Sequence, residues 1–160
     1  MKNKHLFSSL ATMFMFIFML NITAINGQQS NEMDLEMSSV KSHTDPGIQW
    51  GPCPPFMPEG CGIAVLHGDP AKNNVDIFFK VPANSDIPKH WHNSAERMIL
   101  VSGLLHVTYD GEKEITMKSG SYAFGPATKP HVAKCGDEGP CVLFIAFEEP
   151  LDAFPMVEKE

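Results

Sequence analysis

From Pro46 onward the chain alternates short apolar runs with punctuation by glycine and proline. Gly62 to Leu66 is the first run and ends at Gly68-Asp69-Pro70; Val75 to Val81 is the second and stops at Pro82. Arg97 to Val101, Leu104 to Tyr109, Lys113 to Met117, Tyr122 to Phe124 and Cys141 to Phe147 follow, with Ser102-Gly103, Asp110-Gly111, Ser119-Gly120 and Gly125-Pro126 between them. Apolar runs this short, bounded by turn residues, predict strands, and this many of them predict an all-β sandwich or barrel. Asp110-Gly111 between two apolar runs is the strongest hairpin signal in the chain. No helical stripe of useful length appears after the first segment. Within Leu104 to Tyr109, placing Leu105, Val107 and Tyr109 inward turns His106 outward.

The start of the chain follows a different pattern. A positive opening, Met1-Lys2-Asn3-Lys4, leads into the apolar run Leu6 to Leu20 and then into Ala24-Ile25-Asn26-Gly27. Charge, apolar core and small residues in that order are the layout of a secretory signal. Residues 1–27 are therefore read as a signal peptide, with an uncleaved anchor as the alternative because the run nears spanning length when Asn21 is tolerated. The polar residues 28–45 carry no sustained period and are read as a flexible tether. The barrel is placed at 46–152 and a C-terminal tail at 153–160. A periplasmic or secreted location follows from the leader.

Charge narrows the partners. The formal net charge is −7, and loss of Lys2 and Lys4 with the leader leaves 10 basic residues against 19 acidic ones. No basic stripe remains to neutralise phosphates, so a nucleic-acid partner is excluded, as is an anionic membrane surface after leader cleavage. Export also changes the meaning of the four cysteines, which become candidates for disulfides. The spacings Cys53-x7-Cys61 and Cys135-x5-Cys141 do not match a zinc ribbon. Each pair brackets a turn-rich loop, so local pairing is expected and would stabilise by roughly 2–3 kcal/mol. Four cysteines permit three pairings, and four free buried thiols are the alternative.

The chemistry sits on histidines. In an extended chain His90 and His92 project from one face, and Glu96 has the same parity if the strand continues. Two neutral imidazoles and a carboxylate on one face suit a borderline divalent metal. His131 opens a later strand beyond a Gly120-x5-Pro126 turn segment. Together these residues resemble the two motifs of the cupin superfamily. The first, G-x5-H-x-H-x3/4-E-x6-G, is met at His90, His92, Glu96 and Gly103, with Asn84 in place of the opening glycine; asparagine also tolerates positive φ. The second, G-x5-P-x-G-x2-H-x3-N, is met at Gly120, Pro126 and His131, with Thr128 and Cys135 in place of glycine and asparagine. The stretch Ala64 to Pro70 is similar to ChrR-type cupins.

The resemblance implies a cupin barrel, a double-stranded β-helix or jelly roll, holding one divalent transition metal through His90, His92, Glu96 and His131. Iron(II) or manganese(II) is favoured, with nickel, copper and zinc open. Three imidazoles and a carboxylate leave one or two positions for water or substrate. The implied activity is that of a metal-dependent dioxygenase acting on an enol, diketone or phenol, with Glu96 as the base. The alternative is a non-catalytic metal-dependent ligand-binding or sensor barrel. A small-molecule ligand or substrate is the expected partner, and homodimers form through edge strands in such barrels. His43, His67 and His106 are read as surface residues, and Phe78, Phe79, Phe124, Phe144 and Phe147 as barrel filling with some of them lining a pocket. If His131 faces inward, Ala133 and Cys135 do so too, which would put Cys135 near the lower lip of that pocket.

Overall fold

In the computed structural model, which describes residues 37–156, the apolar runs form strands as their patterning dictates. In chain order these are β1 (Gly62–His67), β2 (Val75–Val81), β3 (Asp86–Trp91), β4 (Glu96–Ser102), β5 (Leu104–Tyr109), β6 (Ile115–Lys118), β7 (Tyr122–Gly125), β8 (His131–Cys135), β9 (Cys141–Phe147) and β10 (Phe154–Pro155). They build two antiparallel five-stranded sheets, ordered β1-β2-β9-β4-β7 and β10-β3-β8-β5-β6. No α-helix occurs among the described residues, and none there is long and apolar enough to cross a membrane. The leader falls outside the described residues.

The registers explain the patterning. Ile77, Ile145 and Met98 lie side by side across β2, β9 and β4, as do Phe79, Leu143 and Leu100. They pack against Ile87, Leu105, Val107, Met117 and Ala133 of the other sheet in one buried cluster. Burying a side chain the size of Phe147 stabilises by roughly 1.5–3 kcal/mol, and this residue is almost wholly inaccessible. The Ile77-Phe78-Phe79 run breaks strict alternation because the outer face of β2 is also covered. Phe78 packs with Ile48, Trp50 and Leu66, and the His43 ring stands edge-on to it at 6.3 Å. Of residues 28–45, those from Ser39 on belong to the same compact unit as the barrel.

Two elements differ from the sequence reading. The chain through Pro88 is a strand, because the proline falls at a register shift between Ile87 and His90 where no ladder N–H is required. Phe154 and Pro155, placed in the tail, pair with Trp91 and His90, and the Phe154 ring stacks on Trp91 at 4.5 Å. Phe124 is not barrel filling: it stands exposed on β7, an edge strand.

Both disulfides are local, Cys53–Cys61 and Cys135–Cys141, each with Cα atoms 5.8 Å apart. The second joins the end of β8 to the start of β9 and so ties one sheet to the other. Gly103 lies beside it with φ of 85°, and a Cβ there would meet the Pro140 carbonyl oxygen at 2.9 Å. Asn84 adopts φ of 60°, as a residue in a glycine position must.

Thr128, the other residue in a glycine position, has φ of 61°. A β-branched side chain is strained in the left-handed region by roughly 1–2 kcal/mol. Its side chain is exposed, and its N–H donates to the His92 carbonyl at 2.7 Å, a bond that glycine would keep. Thr128→Gly is therefore expected to stabilise the protein by about 1 kcal/mol, measured as a higher urea midpoint. A lower midpoint would show that the turn is unstrained.

Candidate metal centre

β3 delivers His90 and His92 to the interior through its irregularity. The bulge at Pro88 frees that residue's carbonyl, and His90 Nδ1–H donates to it at 2.7 Å. His92 follows the end of β3, and its Nδ1–H donates to the main-chain carbonyl of Asp152, sixty residues along the chain. Asn93 fastens that segment, giving its backbone N–H and its side-chain amide to the Asp152 carboxylate at 3.0 and 2.6 Å. His131 opens β8 opposite His90 and turns its Nδ1 to the Lys129 carbonyl at 3.3 Å. All three imidazoles are buried.

Glu96 reaches the same place by a different route from the one its parity suggests. β3 ends at Trp91, the chain turns through Asn93-Ser94-Ala95, and Glu96 begins β4 in the other sheet. The buried Ser94 hydroxyl holds that turn by accepting the N–H groups of Glu148 and Glu149 at 2.8 and 3.1 Å. The carboxylate thus meets the imidazoles across the barrel, with Oε1 3.4 Å from His92 Nε2 and Oε2 3.7 Å from His131 Nε2.

The geometry decides the tautomers. With each Nδ1–H spent on a carbonyl, each Nε2 carries its lone pair toward a common point. One nitrogen from each ring lies within 4.8 Å of the others. His92 Nε2 is buried with no hydrogen-bond partner. An inward-facing nitrogen without a hydrogen bond, grouped with two more imidazoles and with a carboxylate nearby, is a donor set that suits a divalent cation. Burial, reinforced by repulsion from His131 and then His92, pushes the His90 pKa down to about 3 from its ordinary 6.5. Burial also lowers His131, opposed by the attraction of Glu96. Neutral rings are the ligating form.

Above the histidines lies a cavity of about 330 Å³. Ile63, Ile77, Phe79, Ile145 and Phe147 form its apolar wall, and Pro52, Cys53, Pro54 and Met57 its rim. The polar groups that reach it are His90, His92, Glu96 and Asp152. Cys135, expected near the lower lip, is instead buried in the core at the far end of β8, and it is Cys53 that lines the cavity.

The remaining histidines stand apart from this group. His106 is half-buried on the outer face beside Thr116 and Glu114, His67 is exposed, and His43 lies half-buried against Phe78. Sequence reasoning missed Asp152, whose carbonyl holds His92 and whose carboxylate holds Asn93, because it lies about sixty residues from both with no motif around it. It placed Tyr109 inward without giving it a role. Tyr109 pairs across the ladder with His131, and its buried hydroxyl has no partner. Burial and the nearby Glu96 and Glu112 carboxylates raise its pKa well above the ordinary phenol value.

Residues 77–147 match the cupin domain family. Over those residues the chain carries a cupin domain. Among solved structures this cupin is similar to the polyketide cyclase RemF from Streptomyces resistomycificus, with a TM-score of 0.62, 20% identity, and coverage of 78% of this chain and 89% of that one. It is similar to the DMSP lyase DddQ from Ruegeria pomeroyi DSS-3, with a TM-score of 0.58, 19% identity, and coverage of 71% and 64%. A deletion mutant of the Bacillus subtilis oxalate decarboxylase OxdC gives a TM-score of 0.56 and 16% identity, over 69% and 30%. The cupin thus spans just under two thirds of the lyase and under a third of the decarboxylase. At these identities the likeness is one of fold. No curated protein matches the sequence.

Two outcomes follow. The unfolded chain takes up protons on its histidines below about pH 6.5, whereas the folded chain keeps His90 neutral down to about pH 3. Stability of the metal-free cupin should therefore fall as pH drops through that window, and His90→Gln should flatten the fall. Urea midpoints for both proteins between pH 7 and pH 4 check this; parallel curves would contradict it. His92→Ala should lower bound divalent metal more than tenfold, whereas His106→Ala should leave it unchanged, by elemental analysis.

Proposed function

We propose that this cupin is an exported metal-dependent enzyme of the dioxygenase type, acting on a small, largely apolar molecule that carries an enolic or phenolic oxygen. The observation that carries the reading is the convergence of three tautomer-fixed imidazoles, with the Glu96 carboxylate 3.4 and 3.7 Å from two of them and with His90, His92 and Glu96 opening onto the apolar cavity. His90, His92, His131 and Glu96 would hold one metal, with iron(II) or manganese(II) favoured. When bound, it supplies Lewis-acid activation of a substrate oxygen and access to O₂ chemistry.

The chain's own residues supply the rest. The apolar wall takes the body of the substrate and excludes water, which strengthens electrostatic interactions at the floor. Glu96 takes the proton from the substrate hydroxyl as that oxygen settles among the imidazoles. Asp152 and Asn93 keep His92 in the orientation this needs. The fold neighbours named as a cyclase, a lyase and a decarboxylase support catalysis on small molecules as the use of the barrel. Export is supported by the leader pattern and by two disulfides, which persist in oxidising compartments.

The test is metal loading followed by O₂ uptake with a panel of enols, β-diketones and phenols. Uptake should require the metal, and Glu96→Gln should lower it at least a hundredfold while substrate still binds. No uptake by fully loaded protein, alongside tight binding of a panel member, would replace the enzyme with a ligand-binding barrel.

A further inference from the structure

The cavity above the histidines is not the whole of the space around them. A smaller void of about 40 Å³ lies deeper in the barrel, and the two share His90, Glu96, Phe79 and Ile145 as walls. The deeper one is otherwise bounded by core side chains such as Met98, Leu105 and Met117, by His131, and by Tyr109. A void of this size accepts one to a few water-sized molecules and no organic substrate.

Tyr109 is 3% exposed, and its hydroxyl makes no hydrogen bond to the protein. Buried hydroxyls in native proteins are almost always paired, so an orphan on a residue that lines a void points to a partner the chain does not supply. Gly125 leaves room for this hydroxyl and for the Glu96 carboxylate. A Cβ at Gly125 would stand 2.6 Å from the Tyr109 hydroxyl oxygen and 3.0 Å from Glu96 Oε2. Its φ is not in the left-handed region, so glycine is required there for room. The Tyr109 hydroxyl and the Glu96 carboxylate therefore approach the same stretch of β7, and both residues line the inner void.

We propose that this inner chamber is a second binding subsite, for a water, a hydroxide or a small anion of that size, and that the Tyr109 hydroxyl is its hydrogen-bond donor. The inference rests on the metal reading above and deepens it. The organic molecule occupies the outer cavity, and the small ligand sits behind the imidazoles and accepts from Tyr109; a water or hydroxide there also donates to Glu96, whereas an anion such as azide is held by Tyr109 alone.

The full chain, loaded with cobalt(II) alone and titrated with azide, tests this through visible absorption. Tyr109→Phe should bind the same amount of cobalt and melt within about 2 °C of wild type, with an azide Kd raised tenfold or more, the loss of one hydrogen bond to a buried charge. The exposed Tyr122 provides the control, and Tyr122→Phe should leave the Kd unchanged. Because the chain has two tyrosines, Tyr122→Phe also leaves Tyr109 as the sole one, and its near-ultraviolet band should shift as azide binds. An azide Kd within twofold of wild type in Tyr109→Phe, a lost cobalt site in that variant, or a silent tyrosine band would each overturn the subsite. Failure of the wild type to bind cobalt would instead overturn the metal centre itself.

Discussion

The interaction on which the site depends is the donation of three imidazole Nδ1–H groups to main-chain carbonyls. Without those acceptors, three histidines could not sit neutral in an apolar barrel with their second nitrogens aimed at one point. Main-chain carbonyls inside a regular sheet are already taken by the ladder. Each acceptor here comes from a place where proline interrupts regular pairing. Pro88 supplies its own carbonyl at a bulge, Lys129 precedes Pro130, and Asp152 follows Pro150 by two residues. The prolines that mark the ends of apolar runs thus also build the second shell of the site.

The two disulfides divide the barrel by task. Cys135–Cys141 lies in the core and joins the sheets away from the histidines, where it substitutes covalently for packing that a small domain finds hard to supply. Cys53–Cys61 closes the loop whose residues rim the cavity, and so fixes the shape presented to a ligand. One cross-link belongs to the fold and the other to the pocket.

Most of the architecture was legible in the chain because period-2 alternation and glycine or proline breaks coincide. Val75 to Val81, Leu104 to Tyr109 and Cys141 to Phe147 form strands over the limits their patterns suggest. The His90, His92 and His131 cluster was legible for the same reason, since parity places their rings inward. Glu96 joined the site for a reason the pattern did not contain: a turn held by Ser94 carries it into the opposite sheet. β3 was obscured by Pro88, and β10 is too short to show a period. Asp152 could not be found from the pattern, because its carbonyl and its carboxylate meet His92 and Asn93 only through tertiary placement.

The bond between His92 and Asp152 has a kinetic consequence. The groups around the site come from β3, β4, β8 and the chain beyond β9, and β2 itself pairs with β9, so no local fragment contains the complete donor set. Topologies dominated by such distant pairings fold slowly, and their last contacts close late. A cation that needs all of these groups has little to hold in the folding transition state and everything to hold in the native barrel. Its binding energy therefore appears in the unfolding rate and scarcely in the folding rate. A barrel loaded with such a cation would form at the pace of its sheets and persist at the pace of its metal.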